Sequence, residues 1–158
     1  AFWVGKADKK SVRLVTDFSH INKYIERNTH AFAAATECIQ AIPKGTTLFC
    51  SCDCLSGYFQ VPLTEKASEM TTFLLPNGKF KYLRAPMGLS NSSDEFLRRS
   101  ASALVNCRQF TVKLVDDLLI QARNEKELME RIKQVLEALR VAQITLSKKK
   151  FKLIFNQI

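Results

Sequence analysis

Thr111-Val112-Lys113-Leu114-Val115-Asp116-Asp117-Leu118-Leu119-Ile120-Gln121 is the stretch on which the fold turns. Apolar runs flank two adjacent acids, so the segment predicts two strands, Thr111 to Val115 and Leu118 to Gln121, with Asp116 and Asp117 at a tight turn. Seen as isolated residues they suit an ordinary acidic turn. The setting argues otherwise: like charges at an apolar tip repel, a local conflict that marks a site needing a cation.

Upstream, Leu48 to Cys54 has strand composition, Gly57 interrupts it and Tyr58 to Leu63 resumes it, which puts Asp53 near a strand end. Phe2 to Val4, the polar Lys6 to Lys10 and Val12 to Phe18 read as a basic hairpin. Phe32 to Ile42 has helical propensity and is stopped by Pro43 and Gly45. Thr71 to Leu75 and Lys79 to Leu83 flank Pro76-Asn77-Gly78, where Asn-Gly predicts a type I′ hairpin. Ser92-Ser93-Asp94-Glu95 offers an N-cap and first-turn acids to a helix reaching about Val105.

Downstream, Glu125 to Ala142 spaces Leu128, Ile132, Val135, Leu136 and Leu139 as one buried helical face, with Glu127 and Arg131 paired on the exposed side. Lys148-Lys149-Lys150 then separates two short strand-like pieces. Hairpins mixed with helices predict an α+β fold, helices packed on one face of an antiparallel sheet.

The chain has 158 residues, 46% of them hydrophobic, enough for one core. Lysine and arginine number 24 against 15 acids, a formal charge of +9 that favours a polyanionic partner, nucleic acid by default. Five cysteines, an odd count, suit reduced thiols and an intracellular setting. No apolar run approaches the roughly 18 residues of a membrane-spanning helix, so no membrane partner is expected. Both apolar ends, Ala1-Phe2-Trp3-Val4 and Phe151 to Ile158, read as cut from a longer polyprotein.

Nucleotidyl transfer is catalysed by positioning and charge neutralisation, and two divalent ions about 3.5–4 Å apart can clamp the attacking and leaving oxygens. Magnesium prefers oxygen ligands and keeps waters, so Asp from two neighbouring strand ends suffice. Asp53, Asp116 and Asp117 meet that need if their strands are adjacent. Cys50, Cys52 and Cys54 alternate on one strand face opposite Asp53 and invite a soft-metal reading. Same-face positions splay about 7 Å apart, however, so small core residues are the better account.

Five ordered blocks resemble the reverse transcriptases of retroviruses and, more closely, of gypsy-class long-terminal-repeat retrotransposons. They are Arg13 to Lys23, Phe49 to Gln60, Ala85 to Phe96, Leu114-Val115-Asp116-Asp117, and Thr145 to Lys150. The resemblance implies a polymerase palm with partial fingers: one domain fragment, with 1–46 and 64–85 mainly fingers and 47–63 and 86–158 mainly palm. Thumb and RNase H would lie outside it, and thumb, RNase H and integrase would be companion segments of a polyprotein.

The resemblance further implies an RNA-directed DNA polymerase that adds deoxynucleoside triphosphates to a primer on an RNA or DNA template, using two magnesium ions, or manganese. Asp53 and Asp116 would hold both ions and Asp117 would support them. Tyr58 matches the steric gate against a 2′-hydroxyl, Lys6 and Arg13 the triphosphate grip, and Met87 and Gly88 the loop against template base and nucleotide. Lys150, or a neighbour in its run, matches the general acid that protonates pyrophosphate. The expected location is a cytoplasmic retroelement particle, with the nucleus as a second compartment.

Three departures stand out. Leu114 replaces the family tyrosine before x-Asp-Asp, Ser92-Ser93-Asp94-Glu95 replaces Ala-Pro-Ala-Thr, and Ser19 replaces an arginine. They motivate the alternative of a catalytically inactive retroelement remnant that at most binds nucleic acid.

Overall fold

The computed structural model describes residues 1–5, 11–27, 29, 35–40 and 42–155. The elements run β1 (Phe2–Gly5), β2 (Val12–Val15), α1 (Ser19–Asn22), α2 (Ala35–Gln40), β3 (Leu48–Asp53), α3 (Glu65–Met70), β4 (Phe73–Leu75) and β5 (Gly78–Phe80). They continue α4 (Ser90–Ala103), β6 (Thr111–Leu114), β7 (Asp117–Ala122), α5 (Glu125–Val141) and β8 (Lys152–Phe155). Short 3-10 segments lie at Gly57–Gln60, Val105–Phe110 and Lys148–Lys150. Two compact units result: Ala1–Thr29 with Tyr58–Phe96, and His30–Gly57 with Leu97–Ile158.

In the first unit, β1 and β2 form the expected antiparallel hairpin, from Phe2 opposite Val15 to Gly5 opposite Val12. The β4–β5 hairpin is also present, but its turn differs from the type I′ expectation. Leu75 pairs with Gly78, so Pro76 and Asn77 form the loop. Proline locks φ near −65° and cannot take the positive φ of a type I′ turn; the left-handed value, φ 146°, falls on Gly78 instead. Phe73 stacks on Phe80 at 6.0 Å, and Tyr82 lies 5.1 Å from Phe73 and 6.1 Å from Phe18. These rings form an aromatic cluster that runs from buried Phe18 through half-buried Tyr82 and Phe73 to exposed Phe80.

α3 has no counterpart in the apolar pattern, yet its start is written locally. Thr64 Oγ1 accepts the Ala67 N–H, and Glu65 supplies a first-turn acid beside the helix dipole. α4 starts at Ser90, two residues before the expected cap, because the Asn22 Oδ1 accepts the Ser90 N–H at 2.9 Å. Asp94 therefore sits in the second turn, buried, and its carboxylate pairs with Arg27 Nε at 3.1 Å. Tyr58 to Leu63 is the other departure. Ser56 at φ 51° and Gly57 bend the chain, and the Val61 N–H closes on the Tyr58 carbonyl at 3.0 Å, making a 3-10 turn where a strand was expected.

In the second unit a four-stranded antiparallel sheet has the order β6-β7-β3-β8. Its Cys50, Cys52, Leu118 and Ile120 side chains are buried, as are Leu128, Ile132, Val135 and Leu139 of α5, which packs on β7 and β3. Leu136 does not join that face; it is 42% exposed. The four, three, four spacing of the buried residues completes a narrow stripe, and Leu136 lies about 100° further round the helix than Val135. Asn124 caps α5, its Oδ1 accepting the Glu127 N–H at 2.9 Å. Glu127 and Arg131 pair at 2.7 Å as expected, although both are half-buried rather than exposed.

Candidate active site

β3 ends on Asp53 and β7 begins on Asp117, and the two residues are register partners directly opposite each other. Directly opposed residues point to the same face of a sheet, so both acids share one face at one end of the ladder. The β6–β7 loop is Val115 and Asp116, since Leu114 pairs with Asp117. The expected Asp116-Asp117 turn is thus displaced by one residue. A two-residue hairpin loop matches strand twist by using left-handed backbone, and here Val115 supplies it at φ 52°. For a β-branched residue that conformation costs about 1–2 kcal/mol, strain stored beside the acids.

Backbone bonds fix the neighbourhood. The Cys54 N–H donates to the Asp116 carbonyl at 2.9 Å, the Ser147 N–H to the Asp53 carbonyl at 2.8 Å, and the Leu55 N–H to the Thr145 carbonyl at 3.0 Å. The Thr145 to Ser147 segment thereby buttresses the end of β3. Lys150 Nζ donates to Asp53 Oδ2 at 2.8 Å across 97 positions of sequence. That contact holds the lysine above its usual pKa. Burial, then the charge of Asp53, holds the Asp116 carboxyl above its usual 3.8. Burial lowers Lys113, with Cys54 and Asp116 opposing the shift.

The arrangement suits a hard cation. Asp116 Oδ1 is buried without a hydrogen-bond partner, which is costly unless something positive completes it. Asp53 already accepts a cationic group. Among the described residues no set of three or more His, Cys, Asp or Glu side chains is already gathered as a metal cage. The Cys50 and Cys52 sulfurs touch at 3.7 Å, closer than the splay expected of strand neighbours, and burial pushes the Cys54 thiol up to about 11.

Residues 4–157 match the family model described as reverse transcriptase (RNA-dependent DNA polymerase). The chain belongs to the reverse transcriptase family. Over 146 residues, 92% of the chain, it is 30% identical to the "Enzymatic polyprotein" of Figwort mosaic virus and covers 22% of that protein. The equivalent polyprotein of Cauliflower mosaic virus (strain Strasbourg) is also 30% identical over 92% of the chain, with 21% of it covered. The Transposon Tf2-3 polyprotein of Schizosaccharomyces pombe is 26% identical over 94% of the chain and 11% of its own length. The chain thus spans about a fifth or less of these relatives.

The fold is similar to that of one part of the Prototype Foamy Virus protease-reverse transcriptase, with a TM-score of 0.84 at 22% identity over 96% of this chain and 20% of that one. A foamy viral protease-reverse transcriptase solved in complex with double-stranded DNA gives 0.85 at 23% identity, covering 99% of this chain and 27% of that one.

The remaining expected positions of this reverse transcriptase chain fall in the first unit, except Lys6, which lies outside the described residues. Arg13 Nη1 donates to Met87 Sδ at 3.3 Å, bringing two of them together. Gly88 sits at φ 89°, and a Cβ there would lie 3.2 Å from the Thr16 carbonyl oxygen, so close backbone approach requires glycine. Tyr58 lies edge-on to Phe96 at 6.2 Å.

Sequence reasoning missed Asn22. Its Nδ2 donates to the Gly88 carbonyl at 2.8 Å while its Oδ1 accepts from Ser90, so one side chain clamps the loop carrying Met87 and Gly88. An amide that can donate and accept at a helix end was the available signal. The described helices include none long and apolar enough to cross a membrane.

Proposed function

We propose that this chain carries the polymerisation site of an RNA-directed DNA polymerase, with 1–46 and 64–85 mainly fingers and 47–63 and 86–158 mainly palm. The observation that carries the reading is the placement of Asp53 opposite Asp117, with Asp116 in the loop between β6 and β7, in a chain of this family. Asp53 and Asp116 would hold two magnesium or manganese ions, with Asp117 as adjacent support. Bound there, the ions supply positive charge to the triphosphate and to the attacking 3′ oxygen.

The chain's own groups do the rest. Lys150 gives a proton from Nζ to the leaving pyrophosphate oxygen. Arg13 and Lys6 grip the triphosphate of the incoming deoxynucleotide, and Met87 and Gly88 bear on the base pair. Tyr58 fills the space a ribose 2′-hydroxyl would need. Template, primer and companion polyprotein segments complete the working enzyme in a cytoplasmic retroelement particle, with access to the nucleus. Retrotransposon parentage is supported by the transposon polyprotein among the relatives, and parentage in a plant virus by the polyproteins at 30% identity.

Primer extension on an RNA template tests the reading. Asp116→Asn is expected to abolish magnesium-dependent incorporation, and equal activity in wild type and variant would overturn it. Leu114 in place of the family tyrosine supports a second reading, an inactive remnant, which robust incorporation by the wild-type protein excludes.

A further inference from the structure

Lys113 stands on β6 with Leu118 as its register partner, and Leu118 in turn pairs with Cys52, so the lysine starts from the buried, cysteine-bearing face of the sheet. Lysine is rarely retained on such a face without a specific bond. From there its Nζ reaches forward two residues and donates to the Val115 carbonyl at 2.6 Å. The carbonyl of one residue and the N–H of the next belong to one rigid peptide plane. Holding the Val115 carbonyl therefore holds the plane on the N-terminal side of Asp116. The plane on its C-terminal side is held by the Cys54 N–H, which donates to the Asp116 carbonyl at 2.9 Å.

With both flanking planes tied, φ and ψ of Asp116 lose their freedom, and the Cα–Cβ direction that aims its carboxylate is set. The need for such a tie is local. Val115 occupies left-handed backbone that a β-branched residue does not choose unaided, so the peptide that follows it has a competing orientation to be held against.

We infer that Lys113 is a positioning residue for the polymerisation site, clamping the Val115–Asp116 peptide so that the Asp116 carboxylate points where a divalent cation is held. The inference deepens the polymerase reading and rests on it for the identity of the cation. It does not make Lys113 a catalytic residue: its role passes through Asp116.

The test uses the full chain and compares wild type, Lys113→Met, Lys113→Arg and Asp116→Asn, each first checked for a cooperative melt. Manganese binding is followed by the electron paramagnetic resonance signal of the free ion, and backbone hydrogen exchange of the 113–118 segment is followed by mass spectrometry without metal. Lys113→Met is expected to weaken manganese binding about 10- to 100-fold, the usual scale for removing a group that orients a ligand. It is also expected to speed exchange at the loop amides, while Lys113→Arg, which keeps a donor, restores both toward wild type.

Unchanged exchange and unchanged manganese affinity in Lys113→Met overturn the inference. If Asp116→Asn loses the ion while Lys113→Met keeps it, the positioning role fails and the polymerase reading stands. If wild type and Asp116→Asn bind manganese alike, the polymerase reading fails and takes the inference with it.

Discussion

Truncating Leu139 and Leu136 to alanine, one at a time, asks which face of α5 supports the strands that bear the acids. Leu139 is 2% exposed, and Leu139→Ala removes three buried carbons at about 0.8 kcal/mol each. The cavity left behind raises the expected loss to about 3 kcal/mol. Leu136 keeps much of its surface in water, leaves no enclosed cavity, and alanine is the better helix former. Leu136→Ala should therefore cost no more than about 1 kcal/mol. For a chain of this length each kcal/mol is worth about 2–4 °C in Tm, so thermal melts should fall by about 6–12 °C for Leu139→Ala and by at most about 4 °C for Leu136→Ala. Equal losses in the two variants would refute the assignment of the buried stripe, and with it the account of what backs β3 and β7.

The acids and their loop make further predictions. Because the Asp116 carboxyl is raised in the folded protein, the folded state keeps a proton that the unfolded chain releases near 3.8. Metal-free stability should thus fall as pH climbs from about that value through the raised folded-state pKa. Asp116→Asn should flatten this part of the curve, and urea melts across acid to neutral pH that run parallel for both proteins would disprove it. Val115→Gly should relieve left-handed strain at a residue with little burial, raising stability by about 1 kcal/mol in the same melts; a loss of that size would mean that the valine packs more than it strains. Tyr58→Ala should let ribonucleotides compete with deoxynucleotides in primer extension, and undiminished discrimination would remove Tyr58 as the sugar gate.

What could be read from the sequence was whatever short spacing encodes. α5 declared itself through its apolar stripe, and the hairpins at β1–β2, β4–β5 and β6–β7 through alternating runs and turn residues. Asp53 and the acidic loop were visible as strand-end acids, but their meeting was legible only through resemblance, since β3 and β7 pair across more than sixty residues. Finer placement escaped. Proline outranked Asn-Gly in choosing the turn before β5, Val115 displaced Asp117 from the acidic loop, and a positive φ at Ser56 coiled the Tyr58 segment. Arg27 with Asp94, Asn22 with Gly88 and Lys113 with Val115 are side-chain bonds with no period to announce them.

The β3–β7 ladder runs without a break from Leu48 opposite Ala122 to Asp53 opposite Asp117. Side chains alternate along a strand, so deleting one residue inside either run sends its acid to the cysteine face, and deleting two restores the face but shifts the acid by about two strand rises, roughly 7 Å. Insertions and deletions should therefore be borne by connections outside β3 and β7, where added residues leave the facing acids in phase.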